Sequence, residues 1–365
     1  MSNTTVMHRI RGLAAFVAAG LLAALPQPGL AQGYVHFNWE QVVEGVWFGT
    51  TLPDSFQTGN TVIIALPGSG SMVVDSHNSE FLAAEIIAKA KAVAPGPVRY
   101  LVLTHLHQDH VGGNIAFRKA FPKIEIIAHR NTCWGIPDKT EGRMKVRVDP
   151  MKNQLAGMQK ARAAAAEAGR DTAALDRQIM GTELYLKDTQ PFQWVMPGTC
   201  LNLAPGQMRT ITAGNRKVEI RYLGRGHTAG DLVVYLPKEK VIAVGDLWSE
   251  GGNILLNSGL DGRDGSVLDA PETLKAVRKL DFDVALPGHR ALIPGKASLD
   301  AAIATGEKLN AQILDSHLRG ETVLEALKRI PSPSPQFETF WNLAIIRGFE
   351  ELELRKQLGT LPKRK

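Results

Sequence analysis

The sequence predicts an α/β fold, because short apolar segments typical of strands alternate with amphipathic segments typical of helices along most of its length. The strand-like segments are rich in β-branched and aromatic residues and are bounded by Gly, Pro and Asn. Histidine and aspartate residues follow several of them, at loop positions where functional side chains commonly lie. A chain of 365 residues, 44% of them hydrophobic, is long enough for one large core or two smaller ones.

The N-terminal 31 residues have the features of a secretory signal peptide. Basic residues at 8–11 precede an apolar run at 12–25, and two small residues, Gly29 and Ala31, precede the expected cleavage point. An uncleaved membrane anchor is the alternative, but the run is shorter than the roughly 20 residues of a membrane-spanning helix. No later segment is apolar enough to span, so we expect a mature chain of residues 32–365 that is periplasmic or secreted.

The charge distribution does not favour a nucleic-acid partner. Charged residues make up 21% of the chain and the formal net charge is +6, but Lys and Arg are scattered instead of forming a stripe. We therefore expect a solvated basic surface. The expected partner is a small-molecule substrate.

The first half of the predicted core has the strand–helix–strand order of an α/β unit. The segment at 79–94 opens with Ser, carries apolar residues at helical spacing and stops before Pro95, as amphipathic helices do. Short β-branched segments bounded by turn residues precede and follow it. Strands are predicted at 45–50, 60–66, 70–76, 98–104 and 124–129, and a short helix at 114–122.

A helical insert interrupts this order at about residues 138–200. The segment is rich in Ala and polar residues and is divided by Gly169, which predicts a helical hairpin. The hairpin is either a lid beside the functional site or a pair of surface helices without a role there. The chain has two cysteines, Cys133 and Cys200, and their spacing leaves open whether they form a disulfide or stay two buried thiols.

The second half returns to strands and ends in helices. The residues from 298 onward have amphipathic spacing of Leu and Ile, which predicts two or three helices divided by the Pro-rich segment at 331–336. These helices would pack on the core or form a homo-oligomer with a second subunit. Before them, strands are predicted at 208–214, 217–224, 231–237, 240–246 and 283–289, and a helix at 270–280.

Residues 101–114, LVLTHLHQDHVGGN, carry the clearest functional pattern. His105 and His107 are two residues apart at the end of a predicted strand, so their side chains point to the same side and can hold one metal ion. Asp109 and His110 follow in the next turn and can reach a second ion nearby. Imidazole and carboxylate ligands suit zinc, with iron and manganese as alternatives.

Three further candidate ligands follow predicted strands in the second half of the chain. His227 lies in LGRGHTAGD, Asp246 in VIAVGDLW and His289 in VALPGHRAL. Small residues flank each of them, so a metal ion can approach closely. One such residue alone would be structural more often than functional, but three after three apolar strands support one another.

These motifs together resemble the metallo-β-lactamase fold superfamily. THLHQDHVGG matches the HxHxDH motif of that family, and the later GHT, GD and GH match its remaining ligand motifs. MVVDS resembles the early strand of the family that ends in Asp75 in this chain. The resemblance covers about residues 42–297 apart from the insert. It implies a four-layer αββα sandwich with the site at one edge, between two sheets.

The resemblance also implies a domain organisation. The signal peptide at 1–31 would precede a metallo-β-lactamase-like domain at 32–297, which carries the helical insert at about 138–200. A helical C-terminal extension at 298–365 would follow.

The resemblance further implies a centre with two zinc ions. Asp246 would bridge the two ions, and Asp75 would orient the ligands or their loop from behind. The implied ligands are His105, His107 and His227 for the first ion and Asp109, His110 and His289 for the second.

The implied activity is hydrolysis of a small ester, thiolester, lactone or amide by a hydroxide that bridges the two metal ions. Asp109 would hold and orient that hydroxide and is the catalytic candidate. An Asp at 246, where some β-lactamases of the family have Cys, argues against an efficient β-lactamase. The alternatives are a subclass-B-like β-lactamase and an iron-dependent, oxygenase-type member of the same fold.

Several aromatic and histidine residues lie outside these motifs. Trp248 and Trp134 are candidate walls of a substrate pocket, with packing in the core as the alternative for each. His77, two residues beyond Asp75, is interpreted as an exposed loop histidine, with a position near the site as the alternative. The histidines assigned to structural or surface roles are His8, His36, His129 and His317.

Overall fold

A computed structural model shows the predicted α/β fold. The predicted signal peptide, residues 1–31, lies outside the described residues. The structure describes residues 34–53, 55, 59–136, 141–188, 194–249, 265–335 and 338–361, with only the backbone described for 141–147.

The first sheet, within the described residues, has seven strands arranged in the order of the sequence. The strands are β1 (Phe37–Val43), β2 (Val46–Thr51), β3 (Thr61–Leu66), β4 (Gly70–Val74), β5 (Val98–Val102), β6 (Glu125–His129) and β7 (Thr199–Leu201). Strands β1 to β4 are antiparallel neighbours, whereas β4 to β7 run parallel. The parallel arrangement brings the ends of β4 and β5 to one edge, where Asp75 and the histidine motif follow.

The second sheet is mostly antiparallel, and its described part has six strands in the order β13-β12-β11-β10-β9-β8. These are β8 (Met208–Ala213), β9 (Arg216–Tyr222), β10 (Leu232–Leu236), β11 (Val241–Gly245), β12 (Val284–Pro287) and β13 (Ile293–Pro294). Strands β11 and β12 are parallel neighbours. Their ends therefore lie side by side, and Asp246 and His289 follow them.

The two sheets pack face to face around an apolar core that contains side chains from both, among them Phe48, Ile64, Ile220 and Val234. Helices α1 (Glu80–Val93) and α3 (Asn114–Ala120) cover the outer face of the first sheet. Helix α7 (Ala270–Arg278) covers the outer face of the second. The result is the αββα sandwich that the family resemblance implies.

The sequence prediction missed strand β1 and two short helices at the first sheet. Strand β1 has a half-exposed burial pattern and pairs only with β2 at the sheet edge, so it lacks the apolar run that marked the other strands. The short helices are α2 (Gln108–Val111), inside the histidine motif, and α4 (Arg130–Gly135), directly after β6.

The helical insert is the predicted hairpin, formed by α5 (Glu141–Glu167) and α6 (Ala173–Asp188). It connects the parallel strands β6 and β7, and β7 itself lies inside the range predicted for the insert. Helix α6 packs against α1, and its buried Tyr185 hydrogen-bonds Gln108 of the histidine motif. The hairpin therefore contacts the histidine motif, and its role as a lid stays a prediction.

The two cysteines form a disulfide between Cys133 on α4 and Cys200 on β7. This bond joins the chain just before the insert to the chain just after it. Strand pairing already places Ala128 beside Cys200, so the disulfide reinforces an existing contact.

The C-terminal helices pack on the sandwich. They are α8 (Ala297–Leu318), α9 (Val323–Arg329) and α10 (Glu338–Gln357). Leu299 and Ala302 of α8 join the apolar cluster over the second sheet, and Glu351 of α10 accepts hydrogen bonds from Ser266 and Val267. A homo-oligomer formed through these helices stays a prediction. Among the described residues, no helix is both long enough and apolar enough to cross a membrane.

Candidate metal centre

The histidine motif turns sharply where β5 ends. After Val102 the chain passes through Thr104 and His105, then enters helix α2 at Gln108. The rings of His105 and His107 lie 4.6 Å apart between centroids, as expected for alternate residues that point to the same side. They form one wall of a cluster that also contains His227 and Asp246, whose ligand atoms all lie within 4.8 Å of one another.

His227 is placed by the loop that follows β9. Its Nε2 lies 2.9 Å from Nδ1 of His107. Asp231 fixes this loop by accepting hydrogen bonds from the backbone N–H and the hydroxyl of Thr228. Helix α4 fixes it from the other side, since Asn131 and Thr132 donate to the carbonyl oxygens of the residues that follow Thr228.

Asp109, His110 and His289 form a second cluster beside the first. Nε2 of His289 lies 3.1 Å from Oδ2 of Asp109, and Nε2 of His110 lies 3.6 Å from the same oxygen. Asp109 and His110 come from helix α2, whereas His289 follows β12 of the other sheet. The second cluster thus spans both sheets of the sandwich.

Asp246 lies between the two clusters. Its Oδ2 is 3.5 Å from Nε2 of His227 and 3.3 Å from Nε2 of His289, and its Oδ1 is 3.5 Å from Nε2 of His110. One carboxylate therefore faces histidine nitrogens of both groups, which is the placement that a bridging ligand requires.

Two glycines allow close packing around the site: Gly288 beside Asp246 and His110, and Gly245 beside Thr104. A Cβ atom on Gly288 would lie 2.2 Å from Oδ1 of Asp246 and 2.8 Å from the His110 ring. Gly245 has a positive φ of 51°, and a Cβ there would lie 2.6 Å from the Thr104 hydroxyl. The small residues seen beside the candidate ligands in the sequence are thus required by close packing at the site.

Asp75 supports the motif from behind. Its Oδ2 accepts a hydrogen bond from Nδ1 of His110 at 2.8 Å, which leaves Nε2 of His110 facing the cluster. The backbone N–H and the hydroxyl of Thr104 donate to the same carboxylate. Asp75 has a positive φ of 63°, a conformation that directs its side chain toward the motif.

Burial and the neighbouring charges favour neutral imidazoles in the first cluster. Burial, and then the charges of His110 and His107, hold the pKa of His105 well below its usual value. Burial, and then the charge of His107, lowers the pKa of His227 to about 3. Neutral imidazole is the form that binds a metal ion.

The charges around the second cluster favour protonated imidazoles. Burial opposes the charged form of His289, but the carboxylates of Asp246 and Asp109 raise its pKa to about 10. Burial likewise opposes the charge on His110, and the neighbouring carboxylates raise its pKa well above the usual value. The paired histidines in turn hold the pKa of Asp109 well below its usual value against the effect of burial. The carboxylates of this cluster therefore favour a positive charge at the site.

The buried polar atoms of the site fit metal ions. His105 Nε2, His110 Nε2 and Asp246 Oδ1 are all buried without a hydrogen-bond partner among the described residues. Such orphaned groups are costly unless an ion or water satisfies them. Five imidazoles and two carboxylates around one centre are a donor set that suits zinc.

The interpretation of His77 as an exposed loop histidine is wrong. His77 is fully buried, and its Nε2 lies 3.1 Å from Nε2 of the equally buried His36. Burial, and then the charge of His77, lowers the pKa of His36 to about 2, and burial lowers the pKa of His77 to about 4. Both imidazoles are neutral. The polar neighbours of His77 in DSHNS suggested a solvated loop, but they too are buried.

The two tryptophans predicted for a substrate pocket differ in their surroundings. Trp248 is fully buried in the apolar cluster over the second sheet, near Phe282, so it is a core residue in the described structure and its prediction as a pocket wall is corrected. Trp134 is 66% exposed on α4, where the guanidinium of Arg130 lies over its ring. Its role in a pocket stays a prediction.

Other site residues escaped the sequence prediction. Thr104 precedes the motif by one residue, and Ser76 donates a backbone hydrogen bond to the carbonyl oxygen of His110. Asn60 donates from its side chain to the carbonyls of Pro287 and Arg290, on either side of His289. Asn60 precedes its own strand, so its position gave no signal of this contact.

Comparison with known proteins agrees with the fold. The sequence model of the family described as "Metallo-beta-lactamase superfamily" matches residues 55–194 and 201–289. No curated protein matches the chain.

Two solved structures share the fold. The metallo-beta-lactamase FIM-1 from Pseudomonas aeruginosa, in a mono-zinc form, is 19% identical with a TM-score of 0.52, over 75% of this chain and 96% of that one. A metallo-beta-lactamase from Erythrobacter litoralis is 18% identical with a TM-score of 0.51, over 75% of this chain and 97% of that one. At this identity the likeness concerns the fold alone.

Proposed function

The chain belongs to the metallo-beta-lactamase superfamily, and from this premise we propose that it is an exported dinuclear zinc hydrolase that cleaves a small ester, thiolester, lactone or amide. The observation that carries the proposal is the position of Asp246 between two histidine clusters. A site for one ion needs no carboxylate that faces both groups.

The candidate ligands fall into two groups, one for each proposed ion. His105, His107 and His227 would hold the first ion, and Asp109, His110 and His289 the second, with Asp246 shared. Two bound divalent ions would lower the pKa of a water molecule and polarise the carbonyl of the substrate.

Asp109 is the candidate catalytic residue. Its side chain is 29% exposed, so it faces both the cluster and the solvent from which substrate arrives. The histidines around it keep it ionised, as the lowered pKa indicates. An ionised carboxylate can accept a hydrogen bond from the attacking water molecule and fix the orientation of that molecule during attack.

The disulfide supports the export part of the proposal. Disulfides persist in oxidising compartments and are rare in the cytosol. The Cys133–Cys200 bond is thus consistent with the secretory signal predicted at residues 1–31 and with a periplasmic or secreted protein.

A hydrolysis panel tests this function. Purified protein is given an aryl ester, a thiolester, a lactone, an amide and a β-lactam, each with and without chelator. We expect cleavage of one class, lost with chelator and regained with zinc. The β-lactam is included because both solved structures above are described as metallo-beta-lactamases. Zinc-bound protein that cleaves none of these bonds would refute the proposed hydrolase.

A further inference from the structure

A pair of buried histidines lies outside the two metal clusters. We propose that His36 and His77 act as a positioning pair that holds the turn carrying Asp109 and His110, and thereby sets the affinity of the second cluster for its metal ion. The inference rests on the proposed metal site.

The pair is the centre of a buried hydrogen-bond chain. Nε2 of His36 and Nε2 of His77 lie 3.1 Å apart, with the rings nearly perpendicular. Nδ1 of His36 lies 3.1 Å from the hydroxyl oxygen of Tyr34, and the backbone N–H of Asn78 donates to Nδ1 of His77 at 2.8 Å. All four polar groups are buried.

The donor and acceptor roles in the chain follow from the tautomers of the two rings. When the ring hydrogen of His77 is on Nε2, Nδ1 accepts from the backbone N–H of Asn78 and Nε2 donates to His36. His36 then carries its hydrogen on Nδ1 and donates it to the oxygen of Tyr34. An apolar side chain in place of His36 would leave the donor of His77 buried without its acceptor.

The backbone of residues 76 and 77 is bonded to the C-terminal part of the metal-binding turn. The N–H of Ser76 donates to the carbonyl of His110 at 2.8 Å, and the N–H of Gly113 donates to the carbonyl of His77 at 2.9 Å. Gly59 fills the space between the His77 ring and the turn. A Cβ on Gly59 would lie 3.1 Å from Nε2 of His77 and 3.3 Å from the carbonyl oxygen of Asp109.

His77 needs its partner to keep this position. Its φ is 63°, in the left-handed region that L residues adopt only when their surroundings hold them there. The His36 ring supplies that hold, because His36 is itself fixed. The backbone N–H groups of His36 and Phe37 donate to Glu85 on α1, and the carbonyl of His36 accepts from Leu52.

The test is a metal titration of variants that touch no predicted ligand. His36→Leu removes the acceptor of His77, whereas His36→Gln keeps a polar group within reach. Metal-free protein is titrated with Co²⁺, and binding is followed by visible absorption and calorimetry. We expect His36→Leu to weaken the second ion about 10-fold or more and leave the first unchanged, with His36→Gln close to wild type.

A matched control separates positioning from general loss of stability. His317→Leu removes a partly buried histidine, which contacts Glu353 in the C-terminal helices, and should leave both affinities unchanged. Should His36→Leu not fold, Tyr34→Phe keeps both imidazoles and should weaken the second ion by a smaller factor.

The outcomes are distinct. If wild type binds two ions and neither His36→Leu nor Tyr34→Phe changes the second affinity, the positioning pair is refuted and the metal site stands. Equal weakening of both ions would also refute it, because the backbone bonds beside the pair lead to the turn of Asp109 and His110. If wild type binds fewer than two ions, the proposed dinuclear site itself fails.

Discussion

The two clusters of the metal centre are built on different principles, although they share Asp246. In the first, the side chains of His105 and His227 are 1% and 2% exposed, and their imidazoles are neutral. In the second, Asp109 and His289 are 29% and 22% exposed, and the histidines carry protons when no metal is bound. The first cluster is preorganised for a cation, whereas the second must release protons before it can bind a cation.

This difference shows how one site can combine tight binding of a metal ion with reactivity toward a substrate. A buried, neutral set of ligands holds an ion without competition from protons. A partly exposed set that contains a carboxylate leaves room for water and substrate. The comparison makes the second cluster the more sensitive of the two to pH and to changes in its surroundings.

The largest effect is expected from Asp246→Ala, because Asp246 faces both clusters. Both ions should bind more weakly, by more than the about 10- to 100-fold that loss of a supporting residue costs. Metal analysis after dialysis measures this, with Asp281→Ala on the exposed surface as control. Loss of only one ion would show that Asp246 does not bridge.

Asp109→Ala should separate the two clusters. The second ion should be lost while the first remains, and the turnover number should fall at least about 100-fold. The reason is that Asp109 belongs only to the second group of ligand atoms. Metal content and steady-state kinetics on the best substrate of the panel check this. Unchanged turnover would refute the catalytic role of Asp109.

The pH dependence should also differ between the clusters. In metal-free protein the pKa of His289 is raised from 6.5 to about 10. Its charge therefore stabilises the metal-free fold fully below pH 6.5, and this contribution is lost as pH rises toward 10. Zinc must displace the proton, so the increase in melting temperature on zinc addition should grow with pH over this range.

His289→Asn is the matched variant for this pH effect. It should release fewer protons than wild type when zinc is added at pH 8, as an indicator dye or calorimetry in different buffers would measure. Equal proton release by the two proteins would contradict the charged state assigned to His289.

A smaller effect on the first cluster is expected from removing the disulfide. Helix α4 carries Cys133 and also holds the loop of His227 through Asn131 and Thr132. Cys133→Ser combined with Cys200→Ser should lower the free energy of unfolding by about 2–4 kcal/mol. The first ion should bind several-fold more weakly and the second should not change. Denaturant unfolding and Co²⁺ titration measure both effects.

The sequence was sufficient for the fold class and for the ligand residues that the structure brings together, since both follow local patterns. Asp246 and His289 were predicted because each follows a β-branched run that ends a strand. His105 and His107 were predicted to lie side by side because alternate residues of a strand point to the same side. The predicted strands and helices of the sandwich occur within a few residues of their predicted bounds.

The parts that the sequence left open or that it misjudged depend on contacts distant in sequence. His77 is buried because the chain turns through a positive φ there and meets His36, which directly precedes β1. Trp248 follows the end of its strand and packs toward the helices on the outer face of the second sheet. The spacing of apolar residues in the sequence does not show that direction. The pairing of Cys133 with Cys200 depends on a strand, β7, that is only three residues long.

The most direct test of a centre with two unlike clusters is a crystal structure of zinc-loaded protein with anomalous data at the zinc edge. The account predicts two peaks about 3.5–4 Å apart, with Asp246 between them. At lower pH the peak beside Asp109, His110 and His289 should weaken first. A single peak at full zinc occupancy, or two peaks that weaken together, would contradict it.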